Sequence, residues 1–165
     1  MLLKRAIEIL EKSKEFKGFK KENPDFYLAH AFTIIDKIQE DWQIGYYSKT
    51  RDKVVVFIVG KKITITPEEE VFKKPEKKIT GLDMKNVKID LEKAVEQAQF
   101  LVDTKYKGEI VSKTIVIVQN LEKELYNMTL VTLAMNIINI KVDAVTGKVI
   151  HHERQSIMGL GKQES

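Results

Sequence analysis

The 165-residue chain contains no cysteine. That one absence removes disulfide bridges, thiol nucleophiles and zinc–thiolate sites together. Long apolar runs are missing too. Met1-Leu2-Leu3 is followed at once by Lys4, Arg5 and Glu8, so the start has no apolar stretch of signal-peptide length. The longest candidate, Leu125 to Ile140, is interrupted by Asn127, Thr129, Thr132, Asn136 and Asn139, far short of the ~18 apolar residues of a membrane helix. The expected location is therefore the cytoplasm. Dense basic blocks are also lacking. Lys20-Lys21, Lys61-Lys62, Lys73-Lys74 and Lys77-Lys78 are short and spread among glutamates, the pattern of a solvated surface rather than a nucleic-acid footprint.

What is present suits a globular α+β protein. Apolar residues make up 43% and charged residues 32% of the chain, with a net charge of +4. The first figure supports a real core; the second exceeds the usual ~25%. Lysine- and glutamate-rich composition without cysteine resembles that of heat-adapted proteins.

The chain reads as if written twice. Phe32-Thr33-Ile34-Ile35-Asp36 aligns with Val116-Ile117-Val118-Gln119-Asn120, each an apolar run closed by Asp or Asn. Trp42 and Tyr126 stand six residues beyond, and both alignments share an offset of 84. Val54 to Val59 then lies over Ile138 to Asp143. Upstream, Leu3, Ala6, Ile7 and Leu10 match Leu91, Ala94, Val95 and Ala98 at an offset of 88.

Leu91, Ala94, Val95, Ala98, Leu101 and Val102 form one helical stripe, with Asp90 placed to cap it. Burial of its larger members contributes roughly 1.5–3 kcal/mol each before entropy. Thr114 to Val118, Leu125 to Thr132, Ile137 to Val142 and Val149 to Glu153 are rich in strand formers. Tyr27 to Ile38 fits either period, and its match to Thr114–Val118 selects a strand. Thr66-Pro67-Glu68-Glu69-Glu70-Val71-Phe72 carries helix-start signals, with Thr66 as cap, Pro67 at the first position and Glu69 at the third; one or two helical turns are expected there. Residues 73–86, with Pro75 and Gly81, read as a linker.

Asp143-Ala144-Val145-Thr146-Gly147-Lys148 reads as a hairpin turn, Gly147 supplying a positive φ and Asp143 accepting from backbone N–H groups ahead of it. With the helix Ile89-Asp90-Leu91-Glu92-Lys93-Ala94-Val95-Glu96-Gln97-Ala98 upstream, the segment Ile140-Lys141-Val142-Asp143-Ala144-Val145-Thr146-Gly147-Lys148-Val149-Ile150 resembles a PepSY domain. The resemblance covers about residues 87–155; the first half is more divergent, with Gly60-Lys61-Lys62 where the Asp…Thr-Gly turn would stand. It implies two tandem cystatin-like, PepSY-like repeats, each a helix against an antiparallel sheet. The expected division is 1–72 divergent repeat, 73–86 linker, 87–158 PepSY-like domain and 159–165 flexible tail. The resemblance implies binding or restraint of partner proteins and transfers no catalytic residue.

The candidate chemical groups point the same way. His151 and His152 are neighbours on a strand and face opposite sides; His151 and Glu153 share a face, which His30 would have to join to hold a metal. Glu40 and Asp41, or Glu68-Glu69-Glu70, have no nucleophile or oxyanion hole beside them. Gly159-Leu160-Gly161 is not followed by a helix, so it is no phosphate loop. Trp42, Tyr46 and Tyr47 read as core aromatics, or as a peptide-binding face, with Gly45 admitting close approach. No catalytic, cofactor-binding or metal residue is assigned. The expected function is non-enzymatic protein or peptide binding, possible also between two copies through sheet edges; a small-molecule or lipid carrier is the alternative, and nucleic-acid association a weaker one.

Overall fold

A computed structural model describes residues 1–70 and 78–157. The class is α+β: three α-helices and one antiparallel sheet of ten strands. The helices are α1 (Leu3–Lys12), α2 (Lys14–Glu22) and α3 (Leu91–Lys105). The strands are β1 (Tyr27–Asp36), β2 (Ile38–Gln39), β3 (Trp42–Ser48), β4 (Lys53–Val59), β5 (Ile63–Ile65), β6 (Glu69–Glu70), β7 (Val111–Asn120), β8 (Glu124–Thr132), β9 (Asn136–Asp143) and β10 (Val149–Ser156). They run across the sheet in the order β10-β9-β8-β7-β1-β3-β4-β5, with β2 beside β1 and β6 beside β4.

The segment that fitted both periods is a strand, β1, and it is the central seam. Ala31 lies opposite Ile44 on one side and Val118 on the other. Both halves of the chain thus share one sheet. All three helices pack on the same face. Leu3, Ala6, Ile7 and Leu10 of α1 and Ala94, Ala98 and Val102 of α3 are buried there against Ile44, Phe57, Val116, Met128 and Ile140. The alanines let the helix backbone approach the strands closely. Phe16 of α2 adds tilted and edge-on ring contacts to Tyr46 and Phe57, pairs that contribute beyond their burial.

Two of the helices, α1 and α3, are each pinned to the sheet by a buried aromatic. Trp42 Nε1 donates to the carbonyl of Met1, just ahead of α1, at 2.8 Å. Tyr126 OH donates to the carbonyl of Ile89, just ahead of α3, at 2.6 Å. Both side chains are essentially inaccessible, so each bond also satisfies a polar atom that burial would otherwise strand.

Four expectations need correction. Asp90 occupies the cap position of α3, but its side chain makes no capping bond. Between residues 66 and 70 there is no helical turn: Thr66 donates its N–H to Val56 O and accepts from Val56 N through Oγ1, and β6 pairs with β4. Glu68 and Glu70 are held by Arg51 at 2.6 Å and Lys53 at 3.2 Å, so an unpaired strand edge took the groups that a helix would have used; Val71 and Phe72 lie outside the described residues. The described end of the linker is packed, with Leu82 buried and bonded to Leu28 O, and Thr80 bridged to Asn120. Finally, one offset of 84 does not fit the pairing. Gln43 opposes Phe32 and Asn127 opposes Ile117; Trp42 opposes Val59 and Tyr126 opposes Val142. With Trp42 set on Tyr126, the matching pairs are Phe32 with Ile117 and Val59 with Val142, one residue later and one earlier than the uniform offset. A slip of one in a strand exchanges the two faces.

The turn at residues 143–148 forms as expected. Gly147 has φ +79°. Asp143 Oδ1 accepts from the N–H groups of Val145 (2.7 Å) and Thr146 (3.1 Å). The carbonyl of Ala144 then accepts from Lys88 and Ile89, docking the turn against the approach to α3. The proposed tail, 159–165, lies outside the described residues.

Candidate functional site

Strand alternation leaves one sheet face without a helix among the described residues. Successive pairings put Ile58, Gln43, Phe32, Ile117, Asn127, Lys141 and His151 in one row across it. The next row holds Ile34, Ile115, Thr129, Asn139 and Glu153. Phe32, Ile34, Ile115 and Ile117 make an apolar centre of half-buried side chains. Beside it runs a ladder of amides. Asn127 Nδ2 donates to Gln119 Oε1 at 3.1 Å, and Asn139 Nδ2 donates to Asn127 Oδ1 at 2.9 Å and to Met128 O at 2.9 Å. Amides tied to one another on a rigid sheet present fixed donors and acceptors next to an apolar band. The sequence reading used Asn127, Thr129 and Asn139 only as interruptions of an apolar run. Their even spacing within strands was the signal that they share a face.

His30 borders this surface. Its ring lies over Gly45 of β3, where an added Cβ would fall inside the imidazole. The gap that Gly45 leaves admits a side chain of the same chain instead of a foreign backbone. Burial pushes the His30 pKa below its ordinary value by disfavouring the charged ring.

The histidines at the far edge divide as their sequence adjacency required. His151 stands with Glu153 on the open face, Nε2 3.8 Å from the carboxylate. His152 points to the helix side, where Nδ1 lies 2.7 Å from Tyr106 OH. His30 is four strand steps from β10, about 19 Å at the usual strand spacing, so the three do not converge. Among the described residues no group of three His, Asp or Glu side chains is placed to hold a metal.

The remaining candidates also find structural partners. Trp42, Tyr46 and Tyr47 are core residues, at most 4% exposed. Tyr47 OH donates to Asp52, whereas Tyr46 OH has no hydrogen-bond partner among the described residues. The Asp41 carboxylate packs over Gly60 and is not paired with Glu40 in any acid–base geometry. Asp143 is held below the usual carboxylate range, first by its hydrogen bond from Lys123 and then by the Val145 and Thr146 N–H groups, against the opposing effect of burial.

On the helix side a shallow groove of about 560 Å³ runs between α1 and residues 81–84. Ile7, Leu28, Leu82 and Met84 form its floor; Lys4, Glu8, Glu11 and Asp83 stand at its rim. No described helix is long and apolar enough to cross a membrane.

No protein-family model and no curated protein matches the chain. Among solved structures, the crystal structure of a "putative lipoprotein" from Clostridium difficile 630 is similar, with a TM-score of 0.53 over 86% of this chain and 90% of that one. Sequence identity is 15%, so the likeness is one of fold, and both chains share an α+β arrangement of near-equal extent.

Proposed function

We propose that the protein is a non-enzymatic protein- or peptide-binding module, built by duplication of a PepSY-like helix-and-sheet unit. The duplication is supported by the two equivalent pins. Trp42 and Tyr126 are 84 apart and their acceptors, Met1 and Ile89, are 88 apart; 88 is also the offset between the α1 and α3 stripes, and the strand registers stay within one residue of 84. The Asp143–Gly147 turn supports kinship of the second unit with the PepSY pattern.

The observation that carries the binding role is the open face, where an apolar centre around Phe32 and Ile117 adjoins the Gln119–Asn127–Asn139 ladder. Such a surface combines area to desolvate with fixed polar groups that set register. A photo-reactive residue in place of Thr129, on this face, should capture one specific protein or peptide, and excess unlabelled protein should compete. Ile117→Lys should abolish capture, while Leu133→Lys, at an exposed turn, should leave it intact. Capture unaffected by Ile117→Lys rejects the face as the site.

A second reading is small-molecule binding in the groove floored by Ile7, Leu82 and Met84. A ligand there should raise the melting temperature, and Ile7→Glu should erase that rise.

A further inference from the structure

The two edges of the sheet are finished differently. At one end β5 is three residues long, and Pro67 follows two residues later; brevity and proline are how sheets close an edge. At the other end β10 is eight residues long, lacks lysine and proline, and is exposed from Ile150 to Ser156. It pairs with β9 on one side only among the described residues. Among the described residues, the alternate N–H and C=O groups along its outer edge therefore have no strand to pair with.

We infer that two copies of this chain associate through β10, antiparallel, across a two-fold axis at His152. The paired edge lies beyond the apolar centre and amide ladder of the open face, although His151 and Glu153 project onto that face, and it does not depend on the binding role proposed for them. The choice of partner follows from charge. Residues directly opposite each other in an antiparallel pair lie on the same face of the sheet, so a symmetric pairing places one residue opposite itself. Centring on Glu153 sets two carboxylates together, and centring on Arg154 sets two guanidinium groups together. Centring on His151 sets the two open-face imidazoles together and places each Glu153 opposite apolar Val149. With His152 at the axis, His151 of each copy faces Glu153 of the other, twice. These groups already approach within 3.8 Å along one strand, and across two strands their Cβ atoms come to about 5 Å. The bulge in β10 lies between Val149 and His151, outside the central three pairs. In this arrangement the helices of both copies fall on one side, and the sheet runs unbroken from copy to copy.

The absence of cysteine gives a clean test. His152→Cys should form an intermolecular disulfide under mild oxidation, because directly opposed strand residues meet the Cα separation a disulfide needs. Cysteine at exposed Leu133 should not. Light scattering of the unaltered chain should give twice its 19.0 kDa mass. Glu153→Lys should weaken the dimer about tenfold or more, and the reciprocal His151→Glu/Glu153→His variant should restore it. Circular dichroism confirms that each variant is folded. A monomer at millimolar concentration, or a dimer indifferent to Glu153→Lys, overturns the inference. Ile117→Lys should leave the dimer intact, which separates failure here from failure of the open-face reading.

Discussion

Two hairpin tips, one in each half, turn with the same kinds of group, differ by one residue in length and present opposite surfaces. Between β3 and β4, Ser48 Oγ accepts from Arg51 N at 3.2 Å, and Asp52 has φ +52°. Between β8 and β9, Thr132 Oγ1 accepts from Asn136 N at 3.1 Å, and Met135 has φ +63°. The first tip reads Lys49-Thr50-Arg51-Asp52, the second Leu133-Ala134-Met135. Leu133 and Met135 are 65% and 53% exposed. A buried hydroxyl at the strand end and one left-handed residue suffice to turn the chain. The residues between take no part in that frame, so the two tips present different surfaces.

The frames are most severely tested at the aromatic pins. Trp42→Ala should cost about 3–5 kcal/mol, the range for deleting a large buried aromatic, and Tyr126→Ala a similar amount. Urea denaturation checks both. If one is silent, the two pins are not equivalent.

The closing turns should behave unequally. Gly147→Val should cost roughly 1–2 kcal/mol, because a β-branched residue resists φ +79°. At Gly60 the three atoms nearest an added Cβ all belong to the Asp41 carboxylate, so Gly60→Ala combined with Asp41→Ala should cost less than Gly147→Val. Equal losses would erase the distinction drawn between a conformational glycine and a packing one.

Tyr126→Phe removes only the bond to Ile89 O and should cost about 1 kcal/mol.

Sensitivity to mild acid, above the carboxylate range in which Asp143 titrates, should belong to the first half. His30 lies over Gly45; under the proposed duplication its counterpart pair is Ile115 and Thr129, which do not titrate. With its folded pKa below the ordinary 6.5, the folded protein binds fewer protons than the unfolded chain just below that pH. Stability is therefore full above about pH 6.5 and falls as the pH drops toward the folded value, by at most ~1.4 kcal/mol per pH unit. His30→Gln should flatten that slope in melting experiments; an unchanged slope would place the titrating group elsewhere.

The smallest effect is at the tips. Met135→Asn should stabilise by a few tenths to about 1 kcal/mol, since asparagine tolerates positive φ better. A loss would mean that exposed Met135 makes a contact that its geometry does not require.

Local chemistry made much of the frame legible. The α1 and α3 stripes, the strands of the second half and the 143–148 turn are each written in a few neighbouring residues. The α2 helix was missed: it is nine residues long with only Phe16 buried, too little for periodicity, although Ser13 was available as its cap and accepts from Phe16 N at 3.1 Å. Thr66–Glu70 misled because its helix signals are local, whereas the empty edge of β4 that recruits it is not. The amide ladder was invisible for the same reason. Gln119, Asn127 and Asn139 become neighbours only when three strands take their register, and the single-residue drift of that register cannot be read from an alignment of apolar runs.

The seam between β1 and β7 has a kinetic consequence. Most other strand pairings join strands that follow closely along the chain, whereas His30 meets Gln119 across most of its length. Each meander can zip up through short loop closures, but the seam requires a long one, and such closures slow folding. Until it shuts, β1 and β7 each expose a bare row of backbone groups, and two chains caught at that stage have the means to exchange halves.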